Sequence, residues 1–366
     1  MSQEWMSAAQ AAAALGVKPA TLYAYVSRGV ISREVTVVDG QRASRFKRAD
    51  VLQLARARAR PQAGAWSVFI ESDVTALDAV GGLAFRGVDV ARCVEWGFEA
   101  TVQHVLGGLG ELQIIPGARL RPLASRRSDA IRHAVLTLAE ADPDRADISP
   151  QHCRAVALAA IKASTAALTG VVGSTSAQAL ASAWSPGRAS ASTGVIDVAL
   201  SVLVDHELTA STLAARAAAG VRTDPWMVLL TGLSAMSGPF QAGASQRALR
   251  VLREWQDGTA PATGRVPGFG HKVYVGPDPR AELLLQALQD VAPTTCDLVE
   301  SLAVYVARCS GAYPNIDLAL AAIIQALGLP DDAGEAIFTL ARIGGLMAHA
   351  MEEYPQGLRL RPRALS

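Results

Sequence analysis

Cysteine is scarce. The 366 residues contain four, Cys93, Cys153, Cys296 and Cys309, with no Cys-x-x-Cys pair and no Cys/His ligand spacing. That argues against a disulfide framework and against any metal site, and it makes a reducing cytoplasm the expected compartment. Charge is sparse as well: 18% of residues are Asp, Glu, Lys or Arg and the net charge is +1. Nothing global therefore points to nucleic acid or to a membrane surface. No stretch reaches the roughly 18 uninterrupted apolar residues that a membrane span needs. Near the start, Glu4 interrupts the apolar run that a cleavable leader would require.

Half of the residues are hydrophobic and alanine is abundant, which suits a helix-rich globular protein. The length calls for two or three domains. Charge is unevenly placed: residues 1–60 hold ten Lys/Arg and four Asp/Glu, a net +6. The remainder holds 24 basic and 29 acidic residues, a net −5. A basic head precedes a mildly acidic body.

In the head, Ser7 can cap a helix that Gly16 closes, and Lys18–Arg28 reads as a second helix ended by Gly29. Val35–Val38, Asp39-Gly40 and Ser44–Lys47 read as a hairpin with a favoured Asp-Gly turn. A third helix is expected from about Ala49 to Arg60. This segment resembles the winged helix-turn-helix of the MerR/excisionase type. The resemblance implies a second helix in the major groove and a wing on the phosphates. Lys18, Thr21, Tyr23, Tyr25 and Arg28 are then candidate groove residues, and Arg42, Arg45, Lys47 and Arg48 candidate phosphate contacts. A small docking domain with a solvated basic face is the alternative. Specific binding of double-stranded DNA would need paired heads.

Residues 61–66 read as a linker. In the body, Arg265–Arg280 holds three glycines and three prolines before His271 and Arg280 have both been reached, which forbids a helix there. A shaped loop that presents an imidazole and a guanidinium at the start of a helix, expected over Ala281–Val291, can hold a carboxylate. Ile196–Glu207 reads as a buried helix ending in Asp205-His206-Glu207, and Ala181–Ser192 as a loop. Charge at a buried helix end requires compensation, from a satisfied polar cluster or from a ligand. His104 reads as a core or partly exposed histidine and His152 as a helix-start residue. His133, near Asp129, and His349, near Glu352 and Glu353, read as contacts without a catalytic role.

Gly268-Phe-Gly-His-Lys-Val-Tyr274 followed by Asp278-Pro-Arg280 resembles the signature loop of the citrate synthase family. Further segments resemble the family in the same order: Trp66–Glu71 as a strand, Gly82–Val90, Asp205–Thr212, Ser237–Ala244, Tyr313–Ala321, Phe338–Glu352 and Arg361–Ala364. The resemblance spans about 67–366. It implies a mainly α, two-domain helical fold, preceded here by the winged head. The large domain would take in 67–240 and 322–366, and the small domain 241–321.

It also implies a site. Oxaloacetate would be held by His206, His271, Arg280, Arg342 and Arg361, the last reaching across a homodimer. Asp317 would be the base and His271 the proton donor to the forming alkoxide. Coenzyme A, a co-substrate with no permanently bound cofactor beside it, would lie along the backbone of Val266, Pro267, Gly268 and Gly270. One residue departs from the pattern. Gln241 stands where the family has the histidine that bonds the thioester carbonyl, Ala242 replaces the glycine after it, and Thr209 replaces an asparagine. A glutamine amide can donate a neutral hydrogen bond but cannot transfer a proton. Three readings follow: a citrate synthase-type acyltransferase, slowed by Gln241; a DNA-binding regulator that senses oxaloacetate, citrate or acyl-CoA; or a non-catalytic subunit.

Overall fold

The computed structural model describes residues 5–15, 17, 22–23, 25–26, 30–38, 41–52, 70–78, 82–110, 126–262 and 264–357. The chain forms two compact units, Met1–Glu71 and Ser72–Ser366.

In the first unit, strand β1 (Trp5–Ser7) leads into helix α1 (Ala8–Leu15). Ser7 and Gln10 cap that helix reciprocally: the Gln10 amide N–H donates to Ser7 Oγ at 3.3 Å, and the Ser7 N–H to Gln10 Oε1 at 2.9 Å. Strands β2 (Arg33–Val38) and β3 (Gln41–Lys47) pair antiparallel with Val38 opposite Gln41, so the second strand begins three residues before the expected Ser44; the expected Asp39-Gly40 turn lies outside the described residues. Strand β1, absent from the sequence reading, pairs with the other edge of β3. Phe46 points inward with Ala11, Leu15, Leu22, Ile31 and Val51, so its neighbours Arg45 and Lys47 fall on the opposite face. Residues 48–52 begin the expected third helix.

The second unit opens with a small sheet, β4 (Thr75–Leu77), β5 (Leu83–Phe85) and β6 (Val88–Asp89), in the order β4-β5-β6. The strand expected at 66–71 is not seen at Ile70 and Glu71, which are outside any strand; pairing begins at Thr75. Helices α2 (Val90–Trp96) and α3 (Phe98–Val105) follow. Then come α4 (Arg127–Ala141), α5 (Pro150–Thr169) and α6 (Ser176–Trp184). After α7 (Ala189–Val202) stand α8 (Ala210–Gly220) and α9 (Pro225–Ala235). The chain continues through α10 (Ala244–Gln256), α11 (Pro279–Gln289), α12 (Pro293–Ser310), α13 (Ile316–Leu327) and α14 (Ala333–Glu353). Helix α14 is buried from Ala333 to Ala350 on every face and is the core around which α4, α5, α8 and α9 pack. Among the described residues, no helix is long and apolar enough to cross a membrane.

Two boundaries differ from the sequence reading. The stretch 181–192 is mostly helical: only Ser185–Arg188 breaks it, because Pro186-Gly187 is local punctuation while the flanking Ala and Ser residues accept a helix. Helix α7 ends at Val202, not Glu207. Glu207 has φ +56°, which no helix admits, and Thr209 already caps α8 by accepting from the Thr212 N–H. Asp205-His206-Glu207 is therefore a turn between two helices, with Asp205 and His206 buried and Glu207 exposed.

Candidate active site

A cleft of about 600 Å³ opens in the second unit. Its lining gathers residues far apart in sequence: His206, Gln241, His271, Arg280, Asp317 and Arg342 all face it.

The 265–280 loop is held by pairing with the chain before α13. Gly270 N–H donates to the Tyr313 carbonyl at 2.8 Å, and Asn315 N–H to the Gly268 carbonyl at 2.9 Å. Asn315 Nδ2 donates to the Gly270 carbonyl at 2.9 Å. Gly268 has φ +88°, and an added Cβ would stand 3.0 Å from Leu318 and 3.1 Å from Ala248, so no side chain fits. The expected coenzyme-binding backbone at Gly268 and Gly270 thus donates and accepts largely within the fold, and of the four residues only Gly270 lines the cleft.

Asp278 is the loop's organising carboxylate. It caps α11 and accepts from the Nε and Nη2 of Arg280 at 2.9 and 2.8 Å and from the Ile316 N–H at 3.1 Å. Both side chains are almost fully buried. Burial raises the Asp278 carboxyl, but the Arg280 charge and hydrogen bonds outweigh it and hold the group below its usual range. By gripping Ile316, Asp278 brings the start of α13, and with it Asp317, beside Arg280.

His271 Nδ1 accepts the N–H groups of Val273 and Tyr274 at 3.1 and 3.4 Å. The ring proton therefore belongs on Nε2, which Arg280 Nη2 approaches to 3.5 Å. Burial and then the Arg280 charge lower the His271 pKa to about 4, so the ring is a neutral donor near pH 7. His206 lies edge-on to His271, with Nε2 3.0 Å from the Tyr274 hydroxyl. Burial, followed by the charges of Arg280 and Arg342, pushes its pKa well below the ordinary value.

Arg342, on α14, is fully buried. Its Nε donates to the Leu203 carbonyl at 3.0 Å and its guanidinium lies 4.8 Å from the Phe338 ring centre. Neither Nη has a hydrogen-bond partner among the described residues. Burial lowers its pKa to about 10 against the raising charge of Asp205. A buried fork of unused donors is complementary to a carboxylate. Asp317 is the opposite case. Burial, opposed by Arg280 and assisted by Asp278, raises its carboxyl to about 6, the behaviour of a base poised near neutrality.

Gln241 lies across the start of α8. Its Nε2 donates to Ser211 Oγ at 2.6 Å and to Thr209 Oγ1 at 3.4 Å. Behind the cleft, Asp205 is buried and accepts from Thr75 Oγ1 at 2.6 Å and the Glu207 N–H at 3.0 Å, with His349 Nε2 at 3.2 Å. Burial raises this carboxyl too, but His349, Arg342 and Thr75 together hold it below the usual range.

Other expectations resolve plainly. His349 is a buried structural partner, Nδ1 standing 2.8 Å from Arg216 Nη1. His133 is exposed and Asp129 pairs instead with Arg132 at 2.7 Å. His152 is buried at the start of α5 near Asp142, and His104 meets the Phe85 carbonyl at 2.8 Å. Arg361, Lys18, Thr21 and Arg28 lie outside the described residues, as does the Arg42 side chain. Tyr23 is 40% exposed, with the Arg33 guanidinium 5.5 Å from its ring, and Tyr25 packs against the head's core. Among the described residues, no group of three His, Cys, Asp or Glu could hold a metal. The sequence reading missed Tyr274, Asp278, Ser211 and Leu77. Asp-Pro-Arg, a helix-capping pattern, was the available signal for Asp278; nothing local marks Leu77 or Ser211.

A nearly all-helical unit whose cleft gathers two buried arginines, two histidines with lowered pKa and a raised carboxyl defines a class: helical proteins with a buried, cation-lined cleft complementary to a small polyanion. The match to known families is narrower. The description "Citrate synthase, C-terminal domain" fits residues 64–363, and "Helix-turn-helix domain" fits 5–59. The chain belongs to the citrate synthase family. It is 32% identical over 183 residues to a citrate synthase of Haloferax volcanii, covering 46% of this chain and 48% of that protein. A citrate synthase of Saccharolobus solfataricus is 33% identical over 190 residues, 46% of this chain and 50% of that one. The matched region spans about half the length of these curated relatives. The fold resembles the citrate synthase of Thermoplasma acidophilum in ternary complex with carboxymethyl coenzyme A and oxaloacetate. That likeness has a TM-score of 0.65 at 22% identity, over 82% of this chain and 94% of that one. The citrate synthase of Pyrobaculum aerophilum gives 0.67 at 20%, over 81% and 89%.

Proposed function

We propose that this protein is a citrate synthase-type acyltransferase that condenses an acyl-CoA, acetyl-CoA foremost, with oxaloacetate. The carrying observation is the pairing of an Arg342 fork without partners among the described residues with a carboxyl raised to about 6 at Asp317, on one cleft. Arg280 and Arg342, with Arg361 from a partner subunit, hold the dicarboxylate, while His206 and His271 polarise its ketone. Asp317 takes a proton from the carbon next to the thioester. That carbon attacks the ketone carbon, and His271 Nε2–H protonates the alkoxide formed, to be reprotonated from water. Water then cleaves the thioester and releases coenzyme A as its thiol. Coenzyme A runs along the loop at Val266–Gly270. A small domain, 241–321, closes on a large one, 67–240 with 322–366, to exclude water. The protein works as a cytoplasmic homodimer.

Gln241 sets the rate. It supplies a neutral donor to the enolate oxygen, and losing such a donor altogether costs about a hundred- to a thousand-fold. The second reading is a regulator that uses the same cleft to sense a dicarboxylate or acyl-CoA and binds DNA through Tyr23, Arg42, Arg45 and Lys47. It is favoured by the helix-turn-helix match at 5–59. Thiol release with oxaloacetate and a panel of acyl-CoAs separates the two. Release by the wild type that Asp317→Asn abolishes supports the enzyme. No release from wild type, with release gained in Gln241→His, refutes it in favour of a preserved but silent site.

A further inference from the structure

The second unit begins at Ser72, and its first residues are fastened to the buried Asp205 and His349 and to the half-buried Glu352. Ser72 Oγ lies 3.4 Å from His349 Nδ1, the Asp73 N–H donates to Glu352 Oε1 at 2.9 Å, and Thr75 Oγ1 donates to Asp205 Oδ2 at 2.6 Å. Leu77, two residues on, lines the cleft itself. None of these residues has a part in the chemistry proposed above.

Ser72 and Asp73 grip the end of α14, whose His349 meets Asp205 at 3.2 Å, and Thr75 grips the 203–207 turn directly through Asp205. Leu203 takes the Nε of Arg342 on its carbonyl, and the Val204 carbonyl accepts from the Gly345 N–H at 3.2 Å. Asp205 closes the turn on the Glu207 N–H, and His206 projects into the cleft. Asp205 Oδ1, on the turn, and both Nη atoms of Arg342, whose Nε bonds the turn at Leu203, remain without a hydrogen-bond partner among the described residues, so opposite charges lie buried and under-satisfied there. Ligand carboxylates at Arg342 would change the balance of charge that the strap helps to hold.

We infer that Ser72, Asp73 and Thr75 form a positioning strap: by fixing Asp205 and His349 they set the 203–207 turn, so that a dicarboxylate in the cleft and a docked strap favour each other. The inference rests on the cleft's binding a dicarboxylate. Its consequence is that ligand binding tightens the point where the chain enters the body from the head. Coupling of this kind is reciprocal: whatever factor the ligand adds to docking, docking adds to affinity.

The test uses the full chain, oxaloacetate as the probe, and two near-isosteric variants. Thr75→Val removes the strap's hydroxyl, and Thr101→Val removes another buried one, which ties the start of α3 to the Cys93 and Gly97 carbonyls at 2.8 and 2.9 Å. Calorimetry should find oxaloacetate bound about tenfold more weakly by Thr75→Val and unchanged by Thr101→Val. Amide exchange over 72–77 should slow on ligand addition in wild type and Thr101→Val, and much less in Thr75→Val. Equal affinity in Thr75→Val, or exchange at 72–77 indifferent to ligand, overturns the strap. No binding by wild type removes the dicarboxylate reading and the strap with it, and is distinguished because it appears without any substitution.

Discussion

Arg280 Nη2 stands 3.5 Å from His271 Nε2, and with the ring proton on Nε2, since Nδ1 accepts two backbone N–H groups, the two atoms face each other as donors. The arrangement is satisfied when a ligand oxygen accepts from both. Oxaloacetate at a hundredfold excess over its dissociation constant should therefore stabilise the protein by about 2.7 kcal/mol. Thermal unfolding should register this as a shift of several degrees in wild type and a much smaller one in His271→Ala. An equal shift in both would place the ligand elsewhere.

The two buried arginines should differ when removed. Arg280→Met strands the buried Asp278 carboxylate and should cost roughly 3–5 kcal/mol. Arg342→Met deletes a cation whose Nη groups have no partner among the described residues, leaving only the Leu203 carbonyl without its donor and Asp205 without one opposing charge, so the stability loss should be smaller. Both should lose dicarboxylate binding. Urea unfolding beside calorimetry checks this; matching losses of stability would refute the contrast.

Asp317 predicts two pH effects. As the base it must be ionised, so kcat/KM should fall about tenfold per pH unit below about 6 and level off above. His271, lowered to about 4, adds no further inflection between pH 5 and 8. For stability the sign is reversed. The folded carboxyl, at about 6, holds its proton more tightly than the unfolded one near 3.8, so wild type loses stability as pH rises through that window. Asp317→Asn should then become progressively more stable than wild type between pH 4 and 7, as denaturant midpoints would reveal. A constant difference across that range would show the carboxyl to be unperturbed.

Gly345→Ala should be severe. An added Cβ would overlap Asp205 Oδ1 and stand 2.5 Å from the Val204 carbonyl, both buried, and the turn carrying His206 would have to move. We expect a stability loss of a few kcal/mol, within the range of core overpacking, together with loss of oxaloacetate binding. Wild-type affinity in a folded Gly345→Ala protein would show that the turn's position does not matter.

Much of this protein was legible from residues alone. The Gly268–Arg280 loop announces itself because glycine and proline restrict the backbone wherever they stand, and Asp-Pro-Arg caps the next helix by short-range bonds. Gln241 is singled out only by the family resemblance, and its chemistry is local: an amide donates a hydrogen bond but cannot transfer a proton. The Ser7 cap was local too, whereas the pairing of Val38 with Gln41 extends the hairpin beyond the expected strand at Ser44. Other features were decided only by the tertiary structure. The end of α7 at Val202 was overridden by the demands of the turn at Asp205, and the side chains that meet there, Thr75, Asp205 and His349, are contributed by three distant segments. Their pairing, the Arg342 fork without a partner among the described residues and the raised Asp317 depend on which surfaces lose water when helices pack. Burial is a property of the assembled core, and no stretch of sequence carries it by itself.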